Sequence, residues 1–233
     1  SAQTATYTVT PTSGVCPGAT FTVTVTINPM PVIADYTQTV CSGTAFSVTP
    51  ADGVPTAATI VPAGTTYTWG VPVVTGGLTG GAAGTNQASI FGTLTNPTTS
   101  TQTATYTVTP TSGAAGSCPG APFTVTVTLT PTPVISDYTS TVCSGTAFSV
   151  TPADGVPAGT IVPAGTTYTW GAPVVTGGMT GGAAGVAQAS IGGTLTNPTT
   201  TSQTATYTVT PTSGCTGATF TVTVTVNPIP VIF

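Results

Sequence analysis

The sequence predicts an all-β chain, tandem antiparallel β-sandwiches in a linear array, and three observations predict it. The chain repeats itself: segment 1–14 returns nearly unchanged at 100–113 and 201–214, 41–55 returns at 143–157, and 64–70 at 165–171. That period, about 100 residues, is too long for a solenoid unit and suits a whole small domain. Apolar residues alternate with Thr along several segments, the period of a half-buried strand. Thr and Val, which fit a pleated sheet, abound, whereas Lys, Arg and His are absent and Asp and Glu total 4 in 233 residues.

The elements can be read in order. Residues 31–40 form an opening, Pro-led strand, and 45–49 a short strand through Phe46 and Val48. Residues 65–74 give a strand with Tyr67, Trp69, Val71 and Val73 on one parity. Residues 88–94 give another through Ile90 and Leu94. In the closing hairpin Ala104, Tyr106 and Val108 oppose Thr103, Thr105, Thr107 and Thr109. After a turn, Phe123, Val125, Val127 and Leu129 alternate with Thr124, Thr126, Thr128 and Thr130. The hairpin recurs with Tyr207, Val209, Phe220, Val222, Val224 and Val226. One apolar and one hydroxyl face suit a sheet packed on one side and wet on the other. No segment shows a 3.6-residue period.

About seven short strands per unit read as an immunoglobulin-like sandwich. Trp69 and Trp170 fall where such a domain buries its strand-C tryptophan, with Tyr106 and Tyr207 beside them in the core. The units divide as 1–30, the C-terminal hairpin of a preceding repeat; 31–130, a full repeat; and 131–233, a second repeat running into the next linker. The Gly-rich stretches 76–84 and 177–185 lack the Lys of a phosphate loop and read as flexible loops joining the middle strands. The junctions Asn-Pro-Met-Pro (28–31), Thr-Pro-Thr-Pro (130–133) and Asn-Pro-Ile-Pro (227–230) stiffen the chain toward an extended path.

Composition removes whole function classes. With no cationic side chain, nothing can neutralise phosphates, so nucleic acid and anionic membrane surfaces are excluded as partners. No apolar run reaches the roughly 20 residues of a membrane-spanning helix. Catalysis lacks its usual equipment: no His or Lys acts as a base, and the carboxylates Asp35, Asp52, Asp137 and Asp154 are scattered. The reading is a non-enzyme without cofactor. Asp35 and Asp137 near the junctions could give Ca²⁺ one carboxylate each, few for an ion that takes about 6–8 oxygens. A carbohydrate-binding array is the alternative function; it needs exposed aromatics, and the aromatics here mostly sit on apolar parities.

The order Tyr-Thr-x-Thr-Val-Cys-Ser-Gly-Thr-Ala-Phe-Ser-Val-Thr-Pro, Thr-Thr-Tyr-Thr-Trp, Leu-Thr-Asn-Pro-Thr-Thr, Thr-Ala-Thr-Tyr-Thr-Val-Thr-Pro-Thr-Ser-Gly and Phe-Thr-Val-Thr-Val-Thr resembles the tandem PKD-like repeats of very large Bacteroidota surface proteins. Those include gliding-motility adhesins exported by the type IX secretion system. The resemblance implies a secreted cell-surface filament, a stiff stalk that presents a distant adhesion region. Its partners would be neighbouring repeats, other copies in a filament, and an extracellular surface or polysaccharide reached through other regions.

Five cysteines in so plain a chain argue for an oxidising compartment. Cys41 and Cys143 lie in the first turn of their units, and Cys16, Cys118 and Cys215 in the last hairpin turn. No Cys-x-x-Cys pair or His suggests a metal. In an up-and-down sandwich these turns sit at opposite ends, roughly 25–33 Å apart for strands of 8–10 residues, while a disulfide needs Cα atoms within about 7 Å. Topology thus favours Cys41 with Cys215 across the junction, leaving Cys16, Cys118 and Cys143 to partners in neighbouring repeats. Pairing within units, Cys41–Cys118 and Cys143–Cys215 with Cys16 left over, is the alternative.

Overall fold

A computed structural model describes residues 2–113 and 117–230. It is all-β: among the described residues there is no helix. Tyr36–Cys41, Phe123–Thr130, Gln102–Thr111, Thr66–Trp69 and Gly84–Gln87 lie side by side in one sheet, in that order. Ala45–Val48 pairs with Ile90–Thr93 to cover it. The second unit repeats this with Tyr138–Cys143, Phe220–Asn227, Gln203–Ser213, Thr167–Trp170 and Gly185–Gln188, covered by Ala147–Val150 and Ile191–Thr196. Ahead of both, Gln3–Val9 pairs with Phe21–Ile27 as a two-stranded hairpin.

The Thr alternation sets which side is buried. Phe123, Val125, Val127 and Leu129 are 0–3% exposed, while the intervening threonines are half-buried on the outer face. Thr105 faces Thr126 and Thr103 faces Thr128 across the strands, so hydroxyls and methyls rather than charges wet this side. Inside, Phe46 packs on Tyr106 with ring centroids 5.5 Å apart, and Tyr67 meets Phe123 edge-on at 6.2 Å. Phe148 with Tyr207 and Tyr168 with Phe220 repeat these contacts.

The structure departs from the sequence expectation in five places. The opening strand expected over 31–40 begins only at Tyr36, with Val32 before it making an isolated bridge to Ile60. The strand expected over 65–74 breaks into Thr66–Trp69 and Val73–Val74. Trp69 pairs with Val108 but Val73 with Thr105, so Gly70–Pro72 inserts one extra residue and turns the parity over. Val71 and Val73 therefore point outward, 74% and 78% exposed. The strand expected over 88–94 begins only at Ile90, and Gly84–Gln87 before it joins the other sheet. The Gly-rich stretch is packed: Leu78 and Met179 are buried, and Thr79 exchanges backbone hydrogen bonds with Thr95 at 3.1 and 2.9 Å. Finally, not all pairing is antiparallel, since Tyr36–Cys41 runs parallel to Phe123–Thr130 and Tyr138–Cys143 parallel to Phe220–Asn227. The parallel edge carries each unit's first strand to the end where its last strand leaves.

Candidate functional site: the junction between repeats

That parallel register places Cys41 directly opposite Thr130, the residue before the Pro131–Pro133 linker. Cys215 sits just after the strand Gln203–Ser213, opposite Ser213 in a tight hairpin. Cys41 and Cys215 are joined by a disulfide, with Cα atoms 5.9 Å apart and a sequence separation of 174. Cys215 is buried, and its Sγ lies 3.9 Å from the Thr130 carbonyl oxygen.

Hydrogen bonds stiffen the Cys41 side of this bond. The Ser42 amide donates to the Thr130 carbonyl at 2.9 Å, and the Thr132 hydroxyl donates to the Ser42 carbonyl at 3.2 Å. Ser42 Oγ accepts the Asn96 amide at 2.8 Å. The buried Asn96 side chain donates to the Ser100 and Leu129 carbonyls and accepts from Thr98, plugging the end of the sandwich. Asn197 does the same in the second unit.

The linker itself is seated. Pro131 and Pro133 are buried. A Cβ on Gly217 would lie 2.3 Å from the Pro133 carbonyl oxygen, so only glycine lets the linker approach. Beyond it, Val134 and Ile161 exchange backbone hydrogen bonds at 3.0 and 2.7 Å. The first junction is built alike: Gly120 leaves the same 2.3 Å approach to the Pro31 carbonyl, and Val32 bridges to Ile60.

Three cysteines are free thiols, Cys16 and Cys143 exposed and Cys118 half-buried. Trp69 and Trp170 are 4% and 6% exposed, and Tyr106 and Tyr207 are buried. Each indole N–H donates to a carbonyl, Trp69 to Ala82 and Trp170 to Ala183, both at 3.0 Å. Gly84 and Gly185 press on the rings so closely that a Cβ would reach within 2.3 and 2.4 Å. That leaves no ring face for a sugar to stack upon. Burial pushes the Tyr67 hydroxyl up to about 12, with Tyr36 adding to the effect. Asp35 and Asp137 each accept a backbone N–H at 2.6 Å, from Thr124 and Thr221. Among the described residues no three His, Cys, Asp or Glu gather as a metal site.

Sequence reasoning passed over Gly217 and Asn96. The signal was present: a Cys-x-Gly triplet occurs at 16–18, 118–120 and 215–217, and Asn-Pro-Thr-Thr at 96–99 and 197–200.

Comparison with known proteins bears on the whole chain. The model of the PKD-like domain family matches residues 1–31, 38–133 and 140–230. No curated protein matches. Among solved structures, the chain is similar to the endo-fucoidan hydrolase MfFcnA4 of glycoside hydrolase family 107, at 12% identity over 98% of this chain and 34% of that one, with TM-score 0.29. It thus spans about a third of that enzyme's length. It is also similar to mouse cadherin-23 EC22–24 (13% identity, 98% and 74% covered, TM-score 0.33) and to the titin I-band fragment I67–I69 (5%, 97% and 75%, 0.31).

Proposed function

We propose that this chain, which belongs to the PKD-like domain family, is a stalk segment of a secreted cell-surface adhesive filament. In this reading it is of the type used by Bacteroidota gliding adhesins exported through the type IX system. It would hold an adhesion region, carried elsewhere, away from the cell. Its immediate partners are neighbouring repeats.

The observation that carries the reading is the Cys41–Cys215 bond beside a seated linker. A single peptide linker lets two domains hinge. A second covalent tether at another point of the same junction opposes that bending and gives tension a second route. A surface dominated by threonine hydroxyls suits a spacer, because it offers little charge, four scattered carboxylates and no cation, to attract partners along the shaft.

Electron microscopy of single molecules tests this. The angle between the two full units should be narrowly distributed in the oxidised chain and broaden on reduction or in Cys41→Ser. Equal spreads with and without the bond would overturn the stalk reading.

A further inference from the structure

The two full repeats are close copies after each tryptophan, and their differences gather on one groove. Residues 79–94 and 180–195 differ only where Thr85, Asn86 and Phe91 of the first give way to Val186, Ala187 and Gly192 of the second. In the first repeat the Phe91 ring stands edge-on to Trp69, with centroids 6.1 Å apart and planes at 82°. The groove there, beside Trp69, has a volume of about 350 Å³. Gly192 carries no ring, and the matching groove beside Trp170 widens to about 590 Å³. Trp170, Gly185, Val186, Ser190 and Gly192 are among the residues lining it.

A buried polar group lies against the same groove. Tyr207 is fully buried, and its hydroxyl has no hydrogen-bond partner among the described residues. Gly182 and Gly193, both lining the groove, are close to that hydroxyl: Cβ atoms placed on them would come within 2.9 and 3.9 Å of it. A hydroxyl kept dry and unpaired is costly, and an oxygen brought in by a ligand would relieve that cost.

We propose that the groove beside Trp170 binds a small neutral aromatic alcohol, its ring in the place that Phe91 takes in the first repeat and its oxygen accepting the Tyr207 hydroxyl proton between Gly182 and Gly193. The ring meets the indole edge-on, as Phe91 meets Trp69, an arrangement that aromatic pairs prefer. A sugar would need the flat face of the indole, and Gly185 covers it. No charged side chain lines the groove, so an ion entering it would lose water without gaining a partner. Gly182 and Gly193 have no side chains to bar the oxygen from the hydroxyl. The site belongs to the second repeat alone, because Phe91 already occupies its counterpart in the first.

The test is titration of the whole isotope-labelled chain with benzyl alcohol, followed by NMR through the two indole N–H resonances. The Trp170 resonance should shift saturably while that of Trp69 stays in place. Phe91→Gly gives the first repeat the residue that the second carries, and the Trp69 resonance should then shift too. Tyr207→Phe removes a hydroxyl that has no partner, so the chain should still fold. It should weaken benzyl alcohol binding roughly fivefold, the worth of one hydrogen bond, and leave toluene binding unchanged. The proposal is overturned by no saturable shift at Trp170, by equal shifts of both indoles in the unaltered chain, or by a Trp69 resonance that stays in place in Phe91→Gly. An unchanged affinity for benzyl alcohol in Tyr207→Phe overturns it as well, as does a stronger response to methyl glucoside than to benzyl alcohol.

Discussion

Pro133 and Gly217 meet across the junction, the carbonyl of one filling the space where the other would carry a Cβ. Residues far apart in sequence are thereby held in contact next to the Cys41–Cys215 bond. Gly217→Ala must push the linker out. Overpacking of this kind costs on the order of 1–3 kcal/mol. Gly70→Ala is the control, because a Cβ there meets nothing within 4 Å. Chemical denaturation should show a loss for the first and almost none for the second. Equal stabilities would mean the linker is not seated as described.

The two indoles are the next test. Trp69→Ala and Trp170→Ala each remove a buried ring and its hydrogen bond to a loop carbonyl. Each should cost about 3–5 kcal/mol. Thr126→Ala, on the outer hydroxyl face, should cost far less. Tryptophan fluorescence of the folded chain should resist a water-soluble quencher. Free quenching would place the rings in solvent and restore the sugar-binding alternative.

Much of this was legible in residue alternation. Phe123–Thr130 could be assigned a face from its sequence because a period-2 pattern has one solution when one side is dry. The bulge at Gly70–Pro72 was not legible, since one inserted residue changes parity without changing composition. Val71 and Val73 accordingly looked like core and are not. Gly84 looked like loop flexibility, and its reason is the ring of Trp69 pressed against it. Close approach between segments distant in sequence leaves only a glycine behind, which is why the Pro133–Gly217 contact needed the fold to be seen.

Alkaline pH probes the same core. The Tyr67 hydroxyl is pushed up to about 12 by burial, and burial raises Tyr106, Tyr168 and Tyr207 as well. The neutral form is favoured in the folded state, while the unfolded chain ionises near 10. Stability from these groups is therefore full below pH 10 and is lost as pH rises toward 12. Tyrosinate absorbance should show a late-ionising group appearing together with unfolding. A single transition near the ordinary value, with the fold intact, would contradict the burial.

Force gives the most direct reading of the disulfide. Tension applied at the two ends of the chain reaches Cys41, crosses to Cys215 and continues into Phe220–Asn227. While the bond holds, tension cannot draw out the segment between the two cysteines, even when the sheets give way. The bond spans 174 positions. At roughly 3.3–3.6 Å per residue, that segment hides about 600 Å of extension. The same loop limits the unfolded chain's freedom, worth about 5 kcal/mol on a chain-entropy estimate. Single-molecule pulling of the oxidised chain should therefore end at a short contour length, and adding a reductant should release the extra length. Cys41→Ser should show the long contour from the start. An oxidised chain that already extends fully would mean that tension never passes through the bond, and stiffness would then rest on the prolines alone.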